Sequence, residues 1–265
     1  MGPLLFKLLS APLLLATTSL VGRRWGTSVG GALAAVPIIS GSIAFFVALE
    51  HDPEFGSRTA AATLVGACSL AWYSLAYAHA SRRFGWPACL AIAYAAVGVA
   101  SLAVIPLANV PGFVVFGLAV VTLVVASRLM PPVEHGLRPV PPAWDIPARI
   151  VIGTALVVVL TALAQSLGPQ LSGLLAAFPM LFTVLLVFTH RHEGAERARG
   201  LLRGFVAGLV ATSLFMEVVA DGLVPLGIGP TFALAIAVFV VYQTAVIRRI
   251  GRSSAATAPI AQASS

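Results

Sequence analysis

An all-helical, polytopic membrane protein is the fold this sequence predicts: about nine transmembrane helices, arranged as two inverted four-helix repeats joined by a linker helix. Three observations predict it. Apolar residues make up 59% of the chain and charged residues 9%, too little polar surface for a water-soluble domain of this length. Two near-copies of one phrase, GALAAVP at 31–37 and GLLAAFP at 173–179, each set a proline inside a long apolar run. The match continues at the same offset of 142 positions, pairing Gly26 with Gly168, Gly31 with Gly173, Phe46 with Phe188 and Gly66 with Gly208; a repeat of this kind decides an architecture before local propensity does. Finally, the basic residues fall almost entirely on one side of the implied membrane.

A run of roughly 18–20 apolar residues crosses the hydrocarbon core as a helix. Such runs place the spans at Pro3–Val21, Thr27–Leu49, Arg58–Ala78, Gly85–Pro106, Gly112–Met130, Ala148–Leu167, Gln170–Thr189, Arg199–Ala220 and Ile228–Val246. Continuous rather than alternating apolarity argues against a membrane β-barrel. The first span resembles a signal peptide, but it aligns with an internal helix of the second half, and Arg23 and Arg24 follow it rather than precede it; it is read as a helix of the mature chain. Residues 1–107 form the first four-helix repeat. Residues 108–147 hold the linker helix and a proline-rich segment, PPVEHGLRPVPPAWDIP at 131–147, unsuited to continuous helix. Residues 148–250 form the second repeat, and 251–265 a small, polar, disordered tail.

Spans one to four match spans six to nine, and span five has no mate, so the second copy starts after an odd number of crossings and lies upside down. The charges agree. If the loop after span one is cytoplasmic, 14 of the 16 basic residues are cytoplasmic and only Lys7 and Arg58 are not, which is the positive-inside pattern. The matched loops also swap character. EHDPEFGSR (50–58) is acidic and HRHEGAERAR (190–199) is basic, while RRWG (23–26) corresponds to the uncharged QSLG (165–168). The expected placement is the bacterial inner membrane, multi-pass, with the N-terminus out and the C-terminus in. The net charge of +7 is therefore topological, and no nucleic acid is implied. Cys68 and Cys89 lie in apolar runs as small hydrophobes.

The embedded residues suggest a path. A mid-span proline removes a helical hydrogen bond and leaves carbonyls near the midplane in need of other partners. Gly30, Gly31 and Ala34 before Pro37, and Gly173 and Ala176 before Pro179, allow close helix packing. Inverted-repeat transporters place substrate sites where two such broken helices meet. Ser40 and Ser42 follow Pro37, and Thr183 follows Pro179, as lining groups; each hydroxyl has the competing option of bonding its own backbone. Tyr73, Tyr77 and Tyr94 are further candidates, with Tyr77 better read as an interfacial anchor. Glu217 is the carboxylate best placed inside a span, as a coupling residue or, reaching the outer interface, as a solvated one. Arg203 is explained by snorkelling to the inner interface, and His190 and His192 by a solvated basic loop. No metal or cofactor set is read, and no nucleophile with a base inside the membrane, so no enzyme is expected.

The stretch GLLAAFPMLFTVLLVFTHRHEGAERARGLLRG (173–204) resembles the GlpM-like small bacterial inner-membrane proteins, and GALAAVPIISGSIAFFVALE (31–50) resembles the same pattern more weakly. The resemblance implies an integral inner-membrane protein, here a fused inverted pair, and carries over no catalytic or binding residue. The leading functional expectation is a secondary transporter or exporter of a small solute. A non-transporting membrane subunit that scaffolds a protein partner in an envelope assembly, and a lipid flippase or scramblase, remain open beside it; the lipid bilayer is a partner in every case.

Overall fold

The structure, a computed structural model, describes residues 2–104, 110, 112–133, 141–159 and 179–256. Among them the secondary structure is α-helical: α1 (Gly2–Trp25), α2 (Thr27–Ala34), α3 (Ile38–Glu50), α4 (Pro53–Ala80), α5 (Trp86–Val104), α6 (Gly112–Leu129), α7 (145–159), α8 (Met180–Glu193), α9 (Ala195–Leu226) and α10 (Ile228–Ala256). Six stretches among the described residues are long and apolar enough to cross a membrane: Thr27–Glu50, Pro53–Ala80, Trp86–Ala103, Gly112–Leu129, Ala195–Leu226 and Ile228–Arg252. Large apolar side chains stand exposed along α5, α6 and α10, among them Val99, Leu102, Phe113, Val121 and Val241. Such a surface suits lipid and not water.

The local signals explain the element ends. The Asp52 carboxylate accepts from the Phe55 amide at 2.7 Å with Pro53 at the first helical position, which starts α4. α8 passes into α9 through Gly194 alone, and α9 into α10 through Gly227 alone; both have positive φ, where a side chain would be strained. Several starts recur at the offset of the sequence repeat: Ile38 and Met180, Pro53 and Ala195, Trp86 and Ile228.

α9 is the central helix. It packs on α2, α4, α6, α8 and α10, and α4 packs in turn on α3, α5 and α6. α4 and α9 run antiparallel: Ser57 donates to the Ala220 carbonyl at one end, and Arg199 donates to the Ser81 hydroxyl at the other. α2 runs along α9 nearly backbone to backbone. A methyl group on Gly31 would collide with the Leu201 carbonyl, one on Gly204 with the Ser28 carbonyl, and one on Gly208 would sit 2.6 Å from the Ala32 carbonyl. Gly200, Gly204 and Gly208 thus form a small-residue seam with a four-residue period. Gly30 serves the neighbouring contact with α1, lying against the Thr18 carbonyl and Gly22, and Ala34 packs half-buried on the main core. Gly173 and Ala176 lie outside the described residues.

Several expectations change. The second span, read as kinked or broken at Pro37, is broken there rather than kinked: the turn at Ala35–Pro37 divides it into α2 and α3. The proline-rich segment gives way to helix at 145, three residues before the expected start of span six, and residues 134–140 lie outside the description. The tail expected to be disordered from 251 continues as helix to Ala256, and 257–265 lie outside the description. The basic loop at 190–199 is nearly all helix, because the apolar face of α8 extends its packing through His190 and His192, and Gly194 alone breaks it.

Candidate functional site

The two matched prolines have the same local conformation. Pro37 caps α3 with φ −78° and ψ 46°, and Pro179 caps α8 with φ −78° and ψ 63°. Each lends its carbonyl to the amide four residues on, Gly41 at 2.8 Å and Thr183 at 2.7 Å. Within the break before Pro37 the Ala35 and Val36 amides donate to the Ala32 and Leu33 carbonyls at 3.3 and 3.1 Å, and neighbouring helices add further donors. The Thr212 hydroxyl of α9 donates to the Ala35 carbonyl, and the Gln243 amide of α10 donates to the Ala32 carbonyl at 2.7 Å.

Thr183 sits between two tyrosines. The Tyr73 hydroxyl lies 3.0 Å and the Tyr94 hydroxyl 2.8 Å from its Oγ1. The two rings meet edge to face at 5.5 Å, and Tyr73 is fully buried. At the matched position the contact recurs with apolar groups: the Phe215 ring lies against Gly41, 3.1 Å from where a methyl group would stand. Tyr73 and Phe215 correspond at the repeat offset, as do Thr183 and Gly41. The polar version of this contact therefore exists in one half only.

Ser42 is turned to its own helix, donating to the Ile38 and Ile39 carbonyls at 2.6 and 2.9 Å. Ser40 is half-buried, and no hydrogen bond joins either serine to Thr183 among the described residues. Glu217 is half-buried, and its Oε2 is shielded from solvent without a hydrogen-bond partner. Asp221, one turn on, is exposed.

A second polar layer closes one end of the bundle. Tyr77, expected as an interfacial anchor, is fully buried with its hydroxyl 2.9 Å from His190 Nδ1. His190 lies just beyond the expected end of its span at Thr189. Burial, and then the Arg199 charge, hold its imidazole below the usual range. Asp145, 0% exposed, gathers three basic groups: Arg23 at 2.8 Å, Arg149 at 2.9 Å and His192 at 2.5 Å. Arg149 continues to Glu193 at 3.2 Å and to the Thr189 hydroxyl at 3.3 Å. Arg203 does not simply snorkel; it donates to the Met130 and Pro131 carbonyls at the end of α6. Arg23, Arg149, Arg199 and Arg203 were all assigned to one side by charge alone, and they meet at one end of the bundle.

Sequence reasoning passed over Asp145 and Arg149, although a carboxylate and an arginine four residues apart are the signature of a helical ion pair. The expectation that the chain holds no hydrolase nucleophile pattern G-x-S-x-G is also wrong at the level of the string, since GTSVG at 26–30 is a literal match. That pattern works on a strand-to-helix turn beside a histidine. Here it joins two helices, and Ser28 is packed against Gly204 with no base bonded to it among the described residues. No group of three or more metal-ligating side chains occurs among the described residues. No protein-family model, no curated protein and no solved structure matches the chain.

Proposed function

We propose that this integral membrane protein is a secondary transporter of a small solute, built as a fused pair of inverted repeats of the GlpM-like kind, with its path at the paired prolines. The observation that carries the reading is the repetition of one helix-start geometry at Pro37 and Pro179, with φ −78° at both, ψ of 46° and 63°, and the same carbonyl-to-amide closure.

The inverted arrangement has further support. The matched helices α4 and α9 lie side by side in opposite directions. Contacts between halves occur in exchanged pairs: α5 touches α8 as α10 touches α3, and Tyr73 meets Thr183 as Phe215 meets Gly41. A two-fold axis produces such exchanges. With the N-terminus out, the Asp145 cluster and the Tyr77–His190 pair lie at the cytoplasmic end, so the form described here is bolted on the inner side. Thr183, Tyr73 and Tyr94 then offer the solute neutral hydroxyls near the midplane.

Cysteine accessibility tests this. In a background without Cys68 and Cys89, single cysteines replace Ser40 and Met180, with controls at Glu54 and Arg191, both exposed. A membrane-impermeant thiol reagent is applied from each face. The expected result is opposite-face labelling of the controls, with Ser40→Cys and Met180→Cys reacting from water. Same-face controls overturn the inverted arrangement. Silence at both inner positions, with labelled controls, overturns the path and favours a scaffold packed against a protein partner.

A further inference from the structure

The broken turn between α2 and α3 is richer in acceptors than in donors. Its Ala35 carbonyl takes a hydrogen bond from the Thr212 hydroxyl, and a carbonyl oxygen carries two lone pairs. Gln243 arrives from α10 and is only 5% exposed. Its Nε2 donates to the Ala32 carbonyl at 2.7 Å, while its Oε1 is buried with no partner. The amide cannot be turned round to relieve this, because Oε1 would then face the Ala32 oxygen, acceptor to acceptor. Burying a carbonyl without a partner costs free energy, and the Nε2 bond to Ala32 fixes this side chain at the same turn that Thr212 reaches. The C-terminal end of α2 adds the negative end of its helix dipole at the same place.

We propose that this turn binds one alkali-metal cation, held by the Ala35 carbonyl, the Thr212 hydroxyl and the Gln243 side-chain carbonyl. The donor set is neutral oxygen without a carboxylate. That suits a singly charged ion whose hydration shell carbonyls replace, and not calcium or magnesium, which take carboxylates. Unwound backbone at the end of a half-helix is a general place for such ions in membrane proteins. The cation would be the coupling ion of the transport reading above, and to that extent the proposal rests on it.

Binding is read directly on the full-length protein in detergent, by thermal unfolding in LiCl, NaCl, KCl or choline chloride at equal ionic strength. At least one alkali cation is expected to raise the midpoint saturably, by about 5 °C at concentrations far above its Kd, where choline does not. Gln243→Leu abolishes the rise. Gln243→Glu keeps it, because an oxygen remains although the donor to Ala32 is lost; a purely structural role for Gln243 predicts the same loss in both variants. If Gln243→Leu yields no folded protein, Thr212→Val against Thr212→Ser makes the comparison, with the rise lost in the first and kept in the second. A wild-type response no greater than in choline overturns the site, as does an undiminished rise in Thr212→Val or Gln243→Leu. No solute is needed, so a flat cation response leaves the path at the prolines standing, and a path closed to thiol reagent leaves the cation site standing.

Discussion

Thr183 shows how a single hydroxyl organises its surroundings. It serves Tyr73 and Tyr94 together, so Thr183→Val strands a tyrosine hydroxyl in a fully buried setting. The expected loss is about 1 kcal/mol of stability, read by denaturant unfolding in detergent micelles. Thr183→Ser should restore it, and adding Tyr73→Phe to Thr183→Val should recover part, because removing both partners is gentler than removing one. Asp145 carries more. Asp145→Asn leaves Arg23, Arg149 and His192 facing one another without the carboxylate, at a cost of about 3 kcal/mol; Arg23→Gln should cost less, since that side chain is 30% exposed. His190 gives a pH signature. Its imidazole is held in the neutral form, so the unfolded chain binds the extra proton. Stability falls as pH drops through the ordinary imidazole value of about 6.5, and levels off below the depressed folded value. His190→Gln, which can still accept from Tyr77, should flatten that part of a midpoint-against-pH curve; an unchanged curve would discount the buried imidazole.

Among the elements, α2 and α9 depend on each other through glycine. Gly204→Val places a side chain where the Ser28 carbonyl stands, so folded yield in a size-exclusion profile should collapse. Gly98→Ala and Gly117→Ala, with open space at the added methyl, should leave the profile unchanged. The seam stands in the sequence as Gly200, Gly204 and Gly208 at four-residue spacing, whereas of the glycines before the prolines only Gly30 and Gly31 fall on described contacts. Helix starts were readable within a few residues because capping and apolar runs are local properties: Gly112 and Ile228 were placed at their observed positions. The division of the second span at Ala35–Pro37 was readable only as a kink or break, since whether a proline bends or severs a helix depends on which neighbours supply the missing partners. Thr212 and Gln243, which supply them, lie 177 and 211 residues away in the chain from the carbonyls they serve.

The whole molecule shows what periodicity and charge can and cannot reveal. Of the arginines that the sequence places on one side, Arg23, Arg149, Arg199 and Arg203 lie at one end of the bundle. Their pairing was not legible. Asp145 was read as part of a proline-rich linker, yet it is the hub on which Arg23, Arg149 and His192 converge. The sequence places Tyr77 at an interface and His190 in a solvated basic loop, each alone, because a one-dimensional reading has no means of seeing two half-polar groups satisfy one another across helices.

The bond between Arg23 and Asp145 spans 122 residues of sequence. At about 5–20 residues per second of synthesis, α1 waits roughly 6–24 s before its counter-ion is made. The α2 seam waits longer still, for α9. A chain arrested before residue 145 should therefore present its first helices to quality-control proteases as an unlatched set, and release of the complete chain should mark the moment at which they become resistant.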